Sequence, residues 1–351
     1  MTIGLKGIEF FLPGEVMDVE NHYSYLDSQI EKMPLDERKI IRASIPDTVH
    51  RLKDASALEI MALNAAQKAL DSSGVSANEI DCLLVTQMGG KQFMPLIASY
   101  LQLNLGLGTD IIARNVNDHG ISIINIIKLA RIYIKSGTCK NILIVAASAL
   151  IGGKYGFGAD LTDPMCMNLG DGAAAAIISE DETNCRILGE YMETYPLNQR
   201  KTGTLNGDYG EIRAPLNRDL CFAAEMDDAY GAYLERSDFQ FDEIASVSGF
   251  FSNTLVRSSE KLGIDLADIK HLVTSHNGLY LDIWKRDIFE LNLEIGIMKN
   301  NYKAVGNTGC ADVLITLSEL SKQNCFKKGD IIALWTISKT VQIGIAFLEW
   351  L

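Results

Sequence analysis

The residues best placed to do chemistry stand at the head of one apolar helix. Between Asn115 and Gly137 the chain reads NVNDHGISIINIIKLARIYIKSG, a polar turn (Asn117, Asp118, His119, Gly120) opening onto an isoleucine-rich run. A buried helix that starts in such a turn aims unpaired N–H groups and a positive dipole end at whatever sits there. That arrangement suits holding a thioester oxygen or activating a nucleophile, yet the turn carries glycine and neither cysteine nor serine. Ser122 stands two residues on, about 200° round a helix, and should face away. His119 is either a base or acyl carrier or simply a turn residue. Asp118 either orients it or caps the helix. Three further polar side chains fall at element ends: His276 after an apolar strand, Asn307 in a GNTG turn, and Cys310 at the start of the helix that follows. The plain alternatives are a satisfied core histidine, a turn-forming asparagine and a small buried thiol.

The elements that must position these residues are visible in the periodicity. Residues 4–12 read as a strand closed by Pro13-Gly14. A helix follows Asp54, its expected N-cap, and ends before Gly74. A strand ends near Gln87, then come the loop MGGKQFMP, a helix over 96–103 and a strand near 111–116. The helix of the polar turn stops at Ser136-Gly137, and NILIVAAS forms a buried strand behind it. NLGDGAAAAIIS (168–179) is a tight turn entering a strand whose small side chains imply close approach by another element. A long helix is expected over roughly 236–262, ending at Gly263. The second half repeats the first: ALDSSGVSANEIDCLLVTQ aligns with SSEKLGIDLADIKHLVTSH, with Gly74 and Gly263 189 positions apart. The segment YIKSGTCKNILIV answers CFKKGDIIALWTI, pairing Gly137 with Gly329 at 192. Two copies of one β/α unit predict a pseudo-twofold pair of α/β halves, 1–180 and 181–351.

Composition sets the outer bounds. The 351 residues are 47% hydrophobic and 22% charged, ordinary for a globular chain with a large core. A net charge of −13 without Lys/Arg clusters argues against nucleic-acid binding. Seven cysteines without a CxxC pair suggest neither zinc nor a disulfide framework, so reduced cytoplasmic thiols are expected. The N-terminus does not read as a signal peptide, and no apolar run reaches the roughly 18 residues that would span a membrane.

Four motifs in order carry a resemblance. NLGDGAAAAIIS is similar to the FGDGAGA turn, NGDYGEI to the Gly-Tyr-Gly-Glu segment, VTSHNGL to the histidine motif PHQAN, and AVGNTGCAD to the asparagine motif GNTSAAS, all of the ketoacyl synthase III-like condensing enzymes. The resemblance covers nearly the whole chain. It implies a thiolase-like αβαβα five-layer sandwich, a homodimer or a heterodimer with a homologue, and acyl thioesters carried on coenzyme A or acyl carrier protein, with no resident cofactor. By motif position His276 and Asn307 carry over as the catalytic imidazole and carboxamide. Counted back from Ser136 as in the family, the nucleophile's place falls on Gly120, beside His119. Cys310, Phe93 and Asn277 are the substrate-lining candidates. WTISKTVQIG departs from the family's glycine-rich loop, and no tryptophan near ERKIIRAS is evident to stack an adenine. The resemblance therefore implies an acyltransferase or condensing enzyme without an acyl-enzyme at the usual place. The alternative is a catalytically reduced partner of a cysteine-bearing homologue.

Overall fold

The computed structural model describes residues 2–19, 45–53, 57–90, 96–150, 168–180, 183–194, 250–276, 278–338 and 342–351. Asp54, Phe93, Asn277, the NGDYGEI segment and the first part of the long helix expected from 236 lie outside them.

Alternation along the strands divides the core into layers. In β4 (Cys82–Gly89) and β6 (Ile142–Ala149), Leu84, Ile144 and Ala146 belong to one apolar cluster, while Leu83, Val85, Leu143 and Val145 belong to another. A strand sends successive side chains to opposite faces, so these strands are buried on both. The outer cluster is closed by α1 (Leu58–Ser73) and α2 (Ile97–Asn104). On α1 the positions Leu58, Met61, Ala62, Ala65, Ala66 and Ala69 form one stripe at helical spacing, set against Ala173 and Ala175 of β7 (Gly172–Ser179). The alanine strand is thus explained: small side chains let a helix lie close.

The inner cluster belongs to α3 (Ser122–Lys135) and α7 (Asp312–Lys322), which supply Ile123, Ile124, Ile126, Ile127, Val313, Leu314 and Leu317. It is shared with Val273 of β9 (Ile269–Thr274), Ile332 and Leu334 of β11 (Ile331–Ile337), and Ala346 and Leu348 of β12 (Gln342–Trp350). The opposite face of those strands meets α4 (Phe250–Leu262), α5 (Gly278–Glu290) and Tyr302 of the short α6 (Tyr302–Val305). There Phe251 and Trp284 each pack edge-on to Trp335 at 4.7 Å. Helices, sheet, helices, sheet, helices: the five layers are those of the thiolase-like fold.

Strand order reveals the repeat. The sheet runs β10-β9-β11-β12-β8-β1-β7-β6-β4-β5, where β1 is Gly4–Phe11, β5 Ile112–Asn115, β8 Cys185–Thr194 and β10 Met298–Lys299. With the separate hairpin of β2 (Glu15–Asp18) and β3 (Thr48–Arg51) set aside, each half follows the same course. Numbered within its half, the third strand is followed across the sheet by the second, fourth, fifth and first. The parallel and antiparallel pairings also match. Among the described strands, the two halves pair at Gly4–Arg186 and Leu5–Cys185.

The first sequence offset holds in detail. Gly74 (φ 70°) and Gly263 (φ 67°) both end helices in the left-handed conformation, and each precedes a short 3-10 turn. The second needs correction. Gly137 (φ 72°) corresponds to Asn324 (φ 54°), not to Gly329. Thr138 N–H donates to Tyr133 O, and Cys325 N–H donates to Leu320 O, closing the two helices alike. Asparagine is the other residue that tolerates the left-handed region, and a search for matched glycines passes over it. Among the described residues no helix is long and apolar enough to cross a membrane.

Candidate functional site

Both central helices open with a 3-10 turn, His119–Ile121 before α3 and Gly309–Ala311 before α7. The repeat therefore sets Gly120 against Cys310. At the first turn, Asp118 N–H donates to Ser122 Oγ at 2.6 Å, and Asn125 Nδ2 donates to Asp118 Oδ2 at 2.7 Å. Asp118 is thereby bound into the helix start, and Ser122 is fully buried. Gly120 has an ordinary backbone conformation, so a side chain is not excluded by φ. Space excludes it: a Cβ there would overlap the carbonyl oxygen of Ile337, the last residue of β11. Beyond Ile337 the chain folds back on itself, with Ser338 N–H donating to Gln342 O at 2.9 Å and Gln342 N–H to Ser338 Oγ at 3.2 Å. Those two N–H groups are used within the turn.

His276 leaves β9 and is fully buried. Its Nδ1 lies 2.9 Å from Gly306 O and its Nε2 2.9 Å from Thr316 Oγ1, so neither ring nitrogen is left over for a substrate. Asp312, at the head of α7, accepts from His276 N–H at 2.8 Å and from Thr308 N–H and Oγ1–H at 2.7 Å each. The Asp312 carboxyl is held above the usual carboxylate range, because burial raises it more than the facing His276 ring and these donors lower it.

Asn307 lies in an interlock between the halves. Its N–H donates to Asn168 O at 2.6 Å, and Gly170 N–H donates to Asn307 O at 2.8 Å. A Cβ on Gly170 would overlap Val305 O, and Gly306 adopts φ 72° where only glycine is at ease. The Asn307 Oδ1 accepts from Gly309 N–H at 2.8 Å, the turn-forming role, while its Nδ2 meets no acceptor among the described residues. Asp171 of the same NLGDG turn clamps two more loops, accepting from Leu150 N–H at 2.6 Å and Leu52 N–H at 2.8 Å. Cys310 is buried, its Sγ 3.4 Å from Ser148 Oγ and from Ala147 O, and burial pushes its thiol up to about 11. That geometry makes it a core thiol and corrects the expectation that it lines a substrate site. Gly120, His276, Asn307 and Cys310 are thus disposed around the heads of α3 and α7. Phe93, Asn277 and the side chain of His119 lie outside what is described.

Sequence reasoning passed over Asp312, Thr316 and Asn301. The available signal was one aspartate at the head of an otherwise apolar helix, DVLITL, where a lone buried carboxylate needs a partner. Among the described residues no group of three or more His, Cys, Asp or Glu could hold a metal ion.

The 3-oxoacyl-[acyl-carrier-protein] synthase III family model matches residues 116–196, and its C-terminal counterpart matches 259–350. These are the two regions that carry the helix-head turn and the His276 and Asn307 motifs. Over both regions the chain is similar to the ketoacyl synthase III enzymes. Among its relatives, β-ketoacyl-[acyl-carrier-protein] synthase III of Clostridium perfringens (strain SM101) is 29% identical over 294 residues, 82% of this chain and 83% of that one. The same-named protein of Clostridium beijerinckii is 24% identical over 350 residues, 99% of both. Solved structures give the same fold. A Xanthomonas campestris OleA variant with bound lauric acid and lauroyl-CoA superposes with a TM-score of 0.76 at 17% identity, covering 100% of this chain and 99% of that one. The Aquifex aeolicus 3-oxoacyl-[acyl-carrier-protein] synthase III gives 0.71 at 22%, covering 99% and 100%.

Proposed function

We propose that this ketoacyl synthase III-like chain serves acyl-thioester chemistry as a subunit without the nucleophilic cysteine, paired with a homologue that carries it in a cytoplasmic dimer. The observation that carries this is the Ile337 carbonyl seated where a side chain on Gly120 would go. Two more support it: both ring nitrogens of His276 are bonded within the protein, and Cys310 points into the core. The thioester would arrive on acyl carrier protein or coenzyme A, in fatty-acid or specialised-metabolite biosynthesis, with no resident cofactor. The relatives' name supports a carrier-protein thioester, and the ligand of the OleA structure supports an acyl-coenzyme A. The division into halves at 180/181 belongs to the same reading.

A second reading keeps the chain as an enzyme that decarboxylates or enolises a carrier-bound malonyl unit, or transfers an acyl group, without a covalent intermediate. Asn307 Nδ2, which meets no acceptor among the described residues, favours it, since each well-placed donor to a developing enolate contributes a few kcal/mol. Sequence alone put this reading first; the filled position at Gly120 reverses the order. The test mixes acyl and malonyl thioesters with the isolated chain, then with its co-encoded homologue, and follows turnover and protein mass. Activity only in the mixture, with the acyl mass on the homologue, is the expected outcome. An acyl adduct on this chain would overturn the subunit reading, and turnover by the chain alone would establish the second.

A further inference from the structure

The hydrogen bonds around His276 continue outward to Glu319, and with Glu319 as a carboxylate their directions follow one from the next. Asn301 Nδ2 donates to Glu319 Oε2 at 2.6 Å, because a carboxylate oxygen can only accept. That turns Asn301 Oδ1 towards Thr316, whose hydroxyl donates to it at 2.8 Å. A hydroxyl has one hydrogen. With it spent on Asn301, Thr316 Oγ1 can only accept from His276 Nε2, 2.9 Å away. On the other side, Gly306 O can only accept from Nδ1 at 2.9 Å.

We propose that Glu319, acting through Asn301 and Thr316, holds His276 with hydrogens on both ring nitrogens, a buried cation paired with Asp312. The pair is geometrically complete. Asp312 Oδ1 lies 3.3 Å from Nδ1, and both carboxylate oxygens receive N–H or O–H donors, which favour the charged form. Asp312 is the charged group facing the ring directly, Glu319 faces it through the relay, and the Tyr302 ring stands edge-on at 6.4 Å. Asn301, Thr316 and Glu319 are positioning residues: they set what His276 can donate and leave it nothing with which to accept. A general base must accept a proton, so His276 in this state fastens the loop after β9 to α7 and takes no proton from a substrate. The assignment rests on hydrogen-bond directions alone and stands under either reading of function.

The experiment is nitrogen-detected NMR of the full chain carrying labelled histidine. There are five histidines, and the His276 signals are identified by their loss in His276→Gln. At pH 7 both ring nitrogens of His276 are expected to show protonated shifts. Thr316→Val removes the acceptor, and Asn301→Leu frees the Thr316 hydroxyl to donate inward. Each should move Nε2 to the shift of a bare nitrogen, while Thr316→Ser should keep the native signature. A bare nitrogen on His276 in the native chain would overturn the proposal. So would an unchanged ring in Asn301→Leu, whose half-buried site allows folding even where Thr316→Val fails.

Discussion

At the scale of single residues, the question is what fills the place of a nucleophile. Gly120 could be restored to cysteine without offending the backbone, yet the new Cβ would meet the Ile337 carbonyl. Gly120→Cys should therefore destabilise the chain by about 1–3 kcal/mol in chemical denaturation, as overpacking does. It should also gain no acyl mass from an acyl thioester; efficient acylation at full stability would show that the β11 end gives way easily. The native thiols make a second prediction. Burial pushes Cys310 up to about 11 and Cys185 up to about 12, whereas Cys325 is exposed. Thiolate, not thiol, reacts. In a native alkylation time course at pH 7.5, Cys325 should label before Cys310 and Cys185, which stay protected until denaturant is added. Early labelling of Cys310 would restore it as a stand-in nucleophile. His276 and Asn307 could be found from their motifs because each follows a recognisable strand or glycine turn. What they bond to could not, because Thr316, Gly306 and Asn168 are ordinary residue types until the fold brings them near.

At the scale of elements, helix ends decide the matching of the two halves. Gly137 and Asn324 hold equivalent left-handed positions after α3 and α7. Asn324→Gly should be neutral or slightly stabilising, and Asn324→Val should cost about 1–2 kcal/mol, the penalty of a Cβ in that conformation. Thermal denaturation of the two variants measures the difference. Equal melting temperatures would mean the turn rearranges. The helices and strands themselves were largely readable, from the stripe on α1 to the β-branched run of β6. The exception arose where one repeat uses glycine and the other asparagine for the same backbone geometry.

At the scale of the whole molecule, the central layer ties the halves together. Helices α3 and α7 share one apolar cluster with strands of both halves, although direct pairing between the halves is confined, among the described strands, to two residue pairs. Neither half can keep its inner sheet face dry without the other. Calorimetry should accordingly show one unfolding transition with matching calorimetric and van't Hoff enthalpies. Two separated transitions would mean that each half is stable alone.

The sequence by itself determined the elements, the repeat and the glycine at the helix head, because these follow from local periodicity and from residue type at a fixed spacing, while the five layers came only with the family resemblance. Only the tertiary structure decided what that glycine means. Ile337 is 217 positions from Gly120, and its carbonyl reaches the helix head because β11 is seated beside β9 and turns back into β12. The engagement of His276 is of the same kind: its partners come from the turn before Asn307 and from one face of α7, brought within hydrogen-bond reach by packing. Periodicity fixes which face of an element is buried, while contact between distant backbones depends on how the buried faces stack.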